Sequence, residues 1–205
     1  MNDAYTDRIL LAALAEFSDF GLRRVSMEDI ARRAGVNRVT IYRRFASKDT
    51  LVQATLISHA QRMLGLVAVE VAGLSHFDDR VVAGFSAALR AARADRLLTV
   101  LRTREQETFL PLMTVEGGPI LAAVRSFFAA ELAAAGDGLV ANPEAAAEVA
   151  ARLSASLFLT PDSCFALDDD AQLRHFAREV LLPACRAAGT SDLSVLAAVG
   201  GSGEA

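Results

Sequence analysis

Cysteine is scarce in this chain. Only Cys164 and Cys185 occur in 205 residues, and their spacing fits neither a metal site, nor a redox motif, nor a disulfide framework. Both read as buried small apolar residues in a reducing compartment. Proline is scarce too, with five residues, β-branched clusters are few, and alanine and leucine dominate, which favours an all-α protein. No run of about 18 uncharged apolar residues exists, so no membrane span is expected. Also missing are a glycine-rich phosphate loop, an HExxH pair, a nucleophile elbow and any clustered Cys/His spacing. Asp168, Asp169 and Asp170 look like a metal site only on paper, because three consecutive residues at a helix start point in different directions. The expectation is therefore no enzyme, no cofactor and no metal. Asp3 and Asp7 stand where a signal peptide would carry basic residues, and Ile9–Ala15 runs at once into Glu16, so no signal peptide and a cytoplasmic location are expected.

What is present is unevenly spread. The net charge is −4, which taken alone argues against nucleic acid. Yet from Leu22 to Lys48 there are eight basic residues (Arg23, Arg24, Arg32, Arg33, Arg38, Arg43, Arg44, Lys48) against Glu28 and Asp29, a net of +6. Beyond position 50 the balance is 12 basic to 18 acidic. Salt limits the reach of each charge to roughly 8–10 Å, so a basic segment on an acidic body still meets phosphates.

The local signals in that segment are dense. A first helix is expected from about Thr6 to Phe20, with Leu10, Ala13, Leu14, Phe17 and Phe20 on one face and Gly21 in the left-handed position behind it. Ser26 followed by Asp29 forms a capping box, with Val25 and Ile30 placed as the hydrophobic staple. Gly35 ends this second helix, Val36 packs inside the turn, and Asn37 caps a third helix. Ile41 and Phe45 face the core with Val36. The remaining arc carries Arg38, Val39, Thr40, Tyr42, Arg43 and Arg44 with no acidic residue, which suits a groove lined by phosphates, base edges and thymine methyls. The pattern is a helix-turn-helix.

Ser47 then caps a connector helix from Lys48 to about Val71, with His59 counted among its apolar content. Helices follow over 79–94, 95–104, 119–135, 143–159 and 168–188, about nine in all. Residues 108–118 read as loop because of Pro111 and the Gly117-Gly118 pair, and Gly136–Gly138 stops a helix. Asn142-Pro143 starts one, Pro183 should kink the last, and Gly189 should end it. No internal repeat and no strand-like alternation are found. The expected domains are a helix-turn-helix head over 1–50, a helical body over 51–190, and a flexible tail over 191–205.

The first ~50 residues resemble the TetR family of bacterial one-component transcriptional regulators. The resemblance rests on Phe20-Gly21, on Val25-Ser26-Met27-Glu28-Asp29-Ile30-Ala31, on Ala34-Gly35-Val36, and on Thr40-Ile41-Tyr42-Arg43-Arg44-Phe45 leading into Ser47-Lys48-Asp49. It covers a quarter of the chain; the rest matches the family only in length and helical layout. It implies a homodimer with a helical ligand-binding domain, in which an effector alters the separation of two DNA-binding heads and, by family default, releases DNA. Carried over, Thr40, Tyr42 and Lys48 match phosphate contacts, and Arg38 and Val39 match positions that commonly meet bases. Val39 stands where a small residue is frequent, which leaves the operator open. Arg44 stands where histidine or tyrosine often precedes the phenylalanine, and it adds a positive charge. The segment 157–163, LFLTPDS, with an acidic helix start behind it, resembles a lactone-responsive subgroup that includes regulators of signal-lactone degradation.

Three sets of residues follow as expectations. Arg38, Val39, Thr40, Tyr42, Arg43, Arg44 and Lys48 are expected on a double-stranded DNA operator. Phe85, Leu89, Leu101, Arg102, Phe109, Met113, Val124, Phe127, Phe128, Phe158 and Asp162 are expected around a small hydrophobic effector; singly most of the apolar ones are explained as core, and together they suit an apolar pocket with a few polar anchors. Ala150, Leu153, Leu157, Leu173, Phe176, Ala177, Val180 and Leu181 are expected on a homodimer surface of two helices per subunit, since a helix-turn-helix normally pairs half-sites about 34 Å apart. The alternative for this third set is burial within one subunit. A helical protein–protein adaptor without DNA function would leave the +6 segment unexplained.

Overall fold

A computed structural model describes residues 4–135 and 141–190. Among the described residues there are ten helices and no strand. In chain order they are α1 (Ala4–Phe20), α2 (Met27–Ala34), α3 (Arg38–Arg44), α4 (Lys48–Val71), α5 (Phe77–Ala94), α6 (Arg96–Arg104), α7 (Gln106–Met113), α8 (Gly118–Ala133), α9 (Pro143–Leu159) and α10. The last, α10, runs over Asp170–Phe176, passes through a π turn at Ala177–Leu181 and continues over Leu182–Thr190. No described helix is long and apolar enough to cross a membrane. The expected stop at Gly136–Gly138 and the expected flexible tail fall wholly or mostly outside the described residues.

The chain divides into two compact units. One holds the described residues up to Gly65 together with Arg90–Val124, and the other holds Leu66–Leu89 with the described residues from Arg125 on.

In the first unit α1 buries Ile9, Leu10, Ala12, Ala13 and Phe17. Phe20, expected on the same face, is 58% exposed. Phe20 is the last residue of the helix, and Gly21 takes φ +83° to reverse the chain directly behind it. α6 is capped by Asp95, whose carboxylate accepts from the Leu98 N–H at 2.9 Å. Residues 108–113, expected as part of a loop over 108–118, lie in helix α7, which holds Pro111 inside it. Pro111 lacks the bond it would have donated one turn back, and its ring crowds the Glu107 carbonyl. Fully buried Phe109 and nearly buried Leu112 supply tertiary packing, on the order of 1.5–3 kcal/mol for each large apolar side chain, which offsets that loss.

In the second unit Arg80, 8% exposed, is held from two sides. Its Nε donates to the Leu74 carbonyl at 2.7 Å, and its Nη1 donates to the Glu131 carbonyl at 3.1 Å and carboxylate at 2.8 Å. A buried charge is tolerable only when satisfied in this way. Asn142 caps α9 by accepting from the Ala145 N–H at 3.1 Å. Phe176 lies with Phe85 at 6.2 Å and Phe165 at 4.9 Å between ring centres. Asp169 caps α10, accepting from Gln172 N–H at 2.9 Å. Pro183, expected to kink this helix, stands beyond the π turn, a local widening of the helix, with Leu182 between them. Gly189, expected beyond the helix end, is inside it and buried; its carbonyl accepts from the Asn142 N–H at 2.8 Å. The tie to Asn142 explains why α10 outruns its glycine.

Candidate nucleic-acid interface

The helix-turn-helix is set by short-range hydrogen bonds. The Ser26 hydroxyl accepts from the Asp29 N–H at 3.2 Å, while the Asp29 carboxylate accepts from the Ser26 N–H at 3.0 Å and hydroxyl at 2.6 Å. Those two bonds, and a third from Arg32 at 2.6 Å, hold the Asp29 carboxyl down to about 2. Val25 and Ile30 are buried on either side of the cap. Gly35 adopts φ +61° and returns its N–H to the end of α2, so only glycine meets the turn without strain. Asn37 then accepts from the Thr40 N–H at 2.7 Å and opens α3.

Core contacts decide which face of α3 looks out. Ile41 is fully buried and Phe45 8% exposed, while Val36 is half-buried in the turn. The rest of the helix is thereby turned to solvent. Arg38 and Arg43 are exposed, Val39 is 74% exposed and Tyr42 40%; Thr40 and Lys48 are half-buried. Six of the seven residues expected on DNA therefore share one accessible surface, or sit at its edge. Arg44 does not: it is half-buried, donates to the Thr6 hydroxyl at 2.9 Å and lies over the Tyr5 ring at 5.7 Å. Its guanidinium is spoken for by α1, which removes it from the outward set. A face of arginine, valine, threonine and tyrosine has the donors for phosphates and guanine and the apolar surface for a thymine methyl.

Contacts that sequence reasoning missed hold this unit together. Arg8 reaches from α1 to the Ala34 carbonyl at 2.6 Å and the Gly35 carbonyl at 3.2 Å, satisfying the end of α2. Arg33 binds Glu16 at 3.2 Å and Asp19 at 2.9 Å. Glu105, between α6 and α7, accepts from the Leu22 N–H at 2.9 Å. His59 is no apolar residue of α4 but binds the Asp95 carboxylate at 2.8 Å. Burial pushes that carboxyl up, yet the hydrogen bonds from His59 and Leu98 outweigh it and hold Asp95 below its ordinary range. Each of these pairs is separated by 14 or more residues, and only the helix periodicity of α1 and α4 hinted at their facing.

The segment 9–55 matches the family described as bacterial regulatory proteins, tetR family. The matched segment runs from α1 through the helix-turn-helix into the start of α4. The chain is 44% identical over 57 residues to an uncharacterized helix-turn-helix regulator of Mycobacterium bovis, covering 28% of this chain and 30% of the relative. It is 30% identical over 99 residues to the helix-turn-helix transcriptional regulator AlkX of Mycobacterium tuberculosis, 47% of each chain. The chain thus spans less than half the length of these curated relatives. In fold the likeness is wider: the repressor AlkX of a Dietzia strain, implicated in n-alkane biodegradation, superposes with a TM-score of 0.71 at 20% identity over 90% of this chain and 97% of that one. The fold is that of the tetR family, an N-terminal helix-turn-helix followed by a larger helical domain.

The two other expected sets lie outside the matched segment 9–55. Of the effector set, Leu101, Arg102, Phe109, Met113 and Val124 belong to the first unit and Phe85, Leu89, Phe127, Phe128, Phe158 and Asp162 to the second. Phe85, Leu89, Leu101, Phe109, Phe128 and Phe158 are buried, Arg102, Met113, Val124 and Phe127 half-buried, and Asp162 exposed. Of the dimer set, Ala150, Leu173, Phe176, Ala177 and Leu181 are buried within the chain itself. Phe176 packs against Phe85 and Phe165, and α9 packs on the Leu182–Thr190 part of α10, so these five faces are used inside the chain. Leu153 and Leu157 are half-buried and Val180 is 43% exposed; these three remain on the outer side of the pair.

Proposed function

We propose that this chain is a transcriptional repressor that binds a palindromic operator as a homodimer and is released by a small hydrophobic effector. The observation that carries the reading is the outward face of α3: Arg38, Val39, Tyr42 and Arg43, exposed and free of acidic residues, on a helix whose opposite side is locked by Ile41 and Phe45. Thr40, Tyr42, Arg43 and Lys48 serve as phosphate contacts, and Arg38 and Val39 read bases. Arg44 serves the packing of α1 on α3. The head over 1–50 binds DNA and the body over 51–190 binds effector and partner, with Leu153, Leu157 and Val180 on the dimer surface.

The AlkX likenesses support an apolar effector, since one of them concerns a repressor implicated in n-alkane biodegradation. The resemblance of residues 157–163 to lactone-responsive regulators makes lactones a second class to try. Selection of binding duplexes from a randomised pool tests the first half of the proposal: a two-fold symmetric site is expected, and failure to enrich any sequence contradicts it. Thermal-shift screening with alkanes, fatty acids and lactones tests the second half. A compound that raises the melting temperature must also displace the selected duplex.

A further inference from the structure

The segment from Leu22 to Lys48 contains only two carboxylates. Asp29 is consumed by the cap of α2 and by Arg32. Glu28, in the first turn of the same helix, points elsewhere: its carboxylate lies 3.2 Å from Nη1 of Arg38, the first residue of α3. The Arg38 guanidinium also lies over the Tyr42 ring, 5.3 Å from its centre. One arginine is therefore held by a carboxylate on one edge and an aromatic face on one side, although its side chain is 71% exposed.

A negative charge here weakens attraction to phosphates, so its position against Arg38 calls for a reason. We propose that Glu28 is a specificity-determining residue: it holds the Arg38 guanidinium in place over Tyr42 and away from the phosphates, so that Arg38 reads a base edge. The inference rests on the proposed DNA-binding function. A guanidinium has five N–H donors; pairing with Glu28 through Nη1 leaves others for the paired acceptors O6 and N7 of guanine. Local neutralisation by Glu28 lowers what Arg38 gains from a bare phosphate while leaving the directional bonds to a base intact. Val39 and Tyr42, exposed beside it, then flank the base that Arg38 meets.

The test uses the full chain as wild type, Glu28→Ala, Arg38→Ala and the double variant. Binding is measured across a salt series to the selected duplex, to its single-base-pair variants and to an unrelated duplex. Glu28→Ala should raise affinity for the unrelated duplex about threefold as Arg38 turns to phosphate, and steepen the salt slope by about 0.9. It should cut discrimination at one base pair by about tenfold. In the Arg38→Ala background, Glu28→Ala should leave discrimination unchanged. Equal effects of Glu28→Ala in both backgrounds would make Glu28 a mere surface charge and overturn the proposal. So would undiminished discrimination in the single variant, with wild-type binding intact. Absence of any DNA binding by wild type would defeat the proposed function itself.

Discussion

The segment 26–48 and the helix pair α9–α10 were both read from periodicity and caps, and they fared differently. In the first, the caps and the facing agree with the reading: Ser26, Gly35 and Asn37 do what their types imply, and Ile41 and Phe45 are inward. In the second, the caps Asn142 and Asp169 are in place, yet five residues expected on an outer face are buried in the chain. Caps and turn glycines depend on partners within four residues, so they are legible. A helix that is alanine- and leucine-rich over a wide arc has two plausible inner faces, and only its distant neighbour decides between them.

The largest effect that would sharpen this comparison is at Phe109, where tertiary packing overrides local signals. Phe109→Ala should cost about 3–5 kcal/mol in urea denaturation; a loss below about 1 kcal/mol would mean that α7 is not held by this residue. Next is Val180→Asp on the outer side of α10, which should raise the dimer dissociation constant more than tenfold in sedimentation equilibrium while leaving the melting temperature of the monomer nearly unchanged. Should Val180→Asp leave association untouched, the dimer surface lies elsewhere. Ser26→Ala removes a cap bond from α2 and should cost about 1 kcal/mol, read as a lowered urea midpoint; the same change at Ser18, within α1, should do less.

The smallest effect is a pH dependence. The Asp29 carboxyl falls from 3.8 to about 2 on folding. A depressed carboxyl stabilises the folded state fully above its unfolded value, and that contribution fades as pH falls through about 2. NMR titration of Asp29 should follow this course, and Asp29→Asn should flatten the acid limb of stability. A midpoint near 4 would show the capping box to be open in solution.

Most of the fold was legible, and so was most of the candidate site, for the same reason: short helices with strong ends announce themselves. What stayed unread was long-range. Nothing local to Arg8 says that it will bind the Ala34 carbonyl, nothing around Arg44 says that Thr6 and Tyr5 will claim it, and Pro111 argued for a loop that Phe109 and Leu112 turned into a helix. Sequence spacing alone places His59 with the apolar face of α4, because its partner, Asp95, is 36 residues away.

The central claim is that the outward face of α3 and the start of α4 carry DNA. The measurement closest to it is the salt dependence of binding by the Tyr42→Ala, Lys48→Ala double variant against wild type. Loss of the Lys48 charge should lower the slope of log K against log salt by about 0.9, on the unrelated duplex as on the selected one. An unchanged slope, with affinity preserved, would take both residues off the phosphate backbone and contradict the placement of DNA on this face.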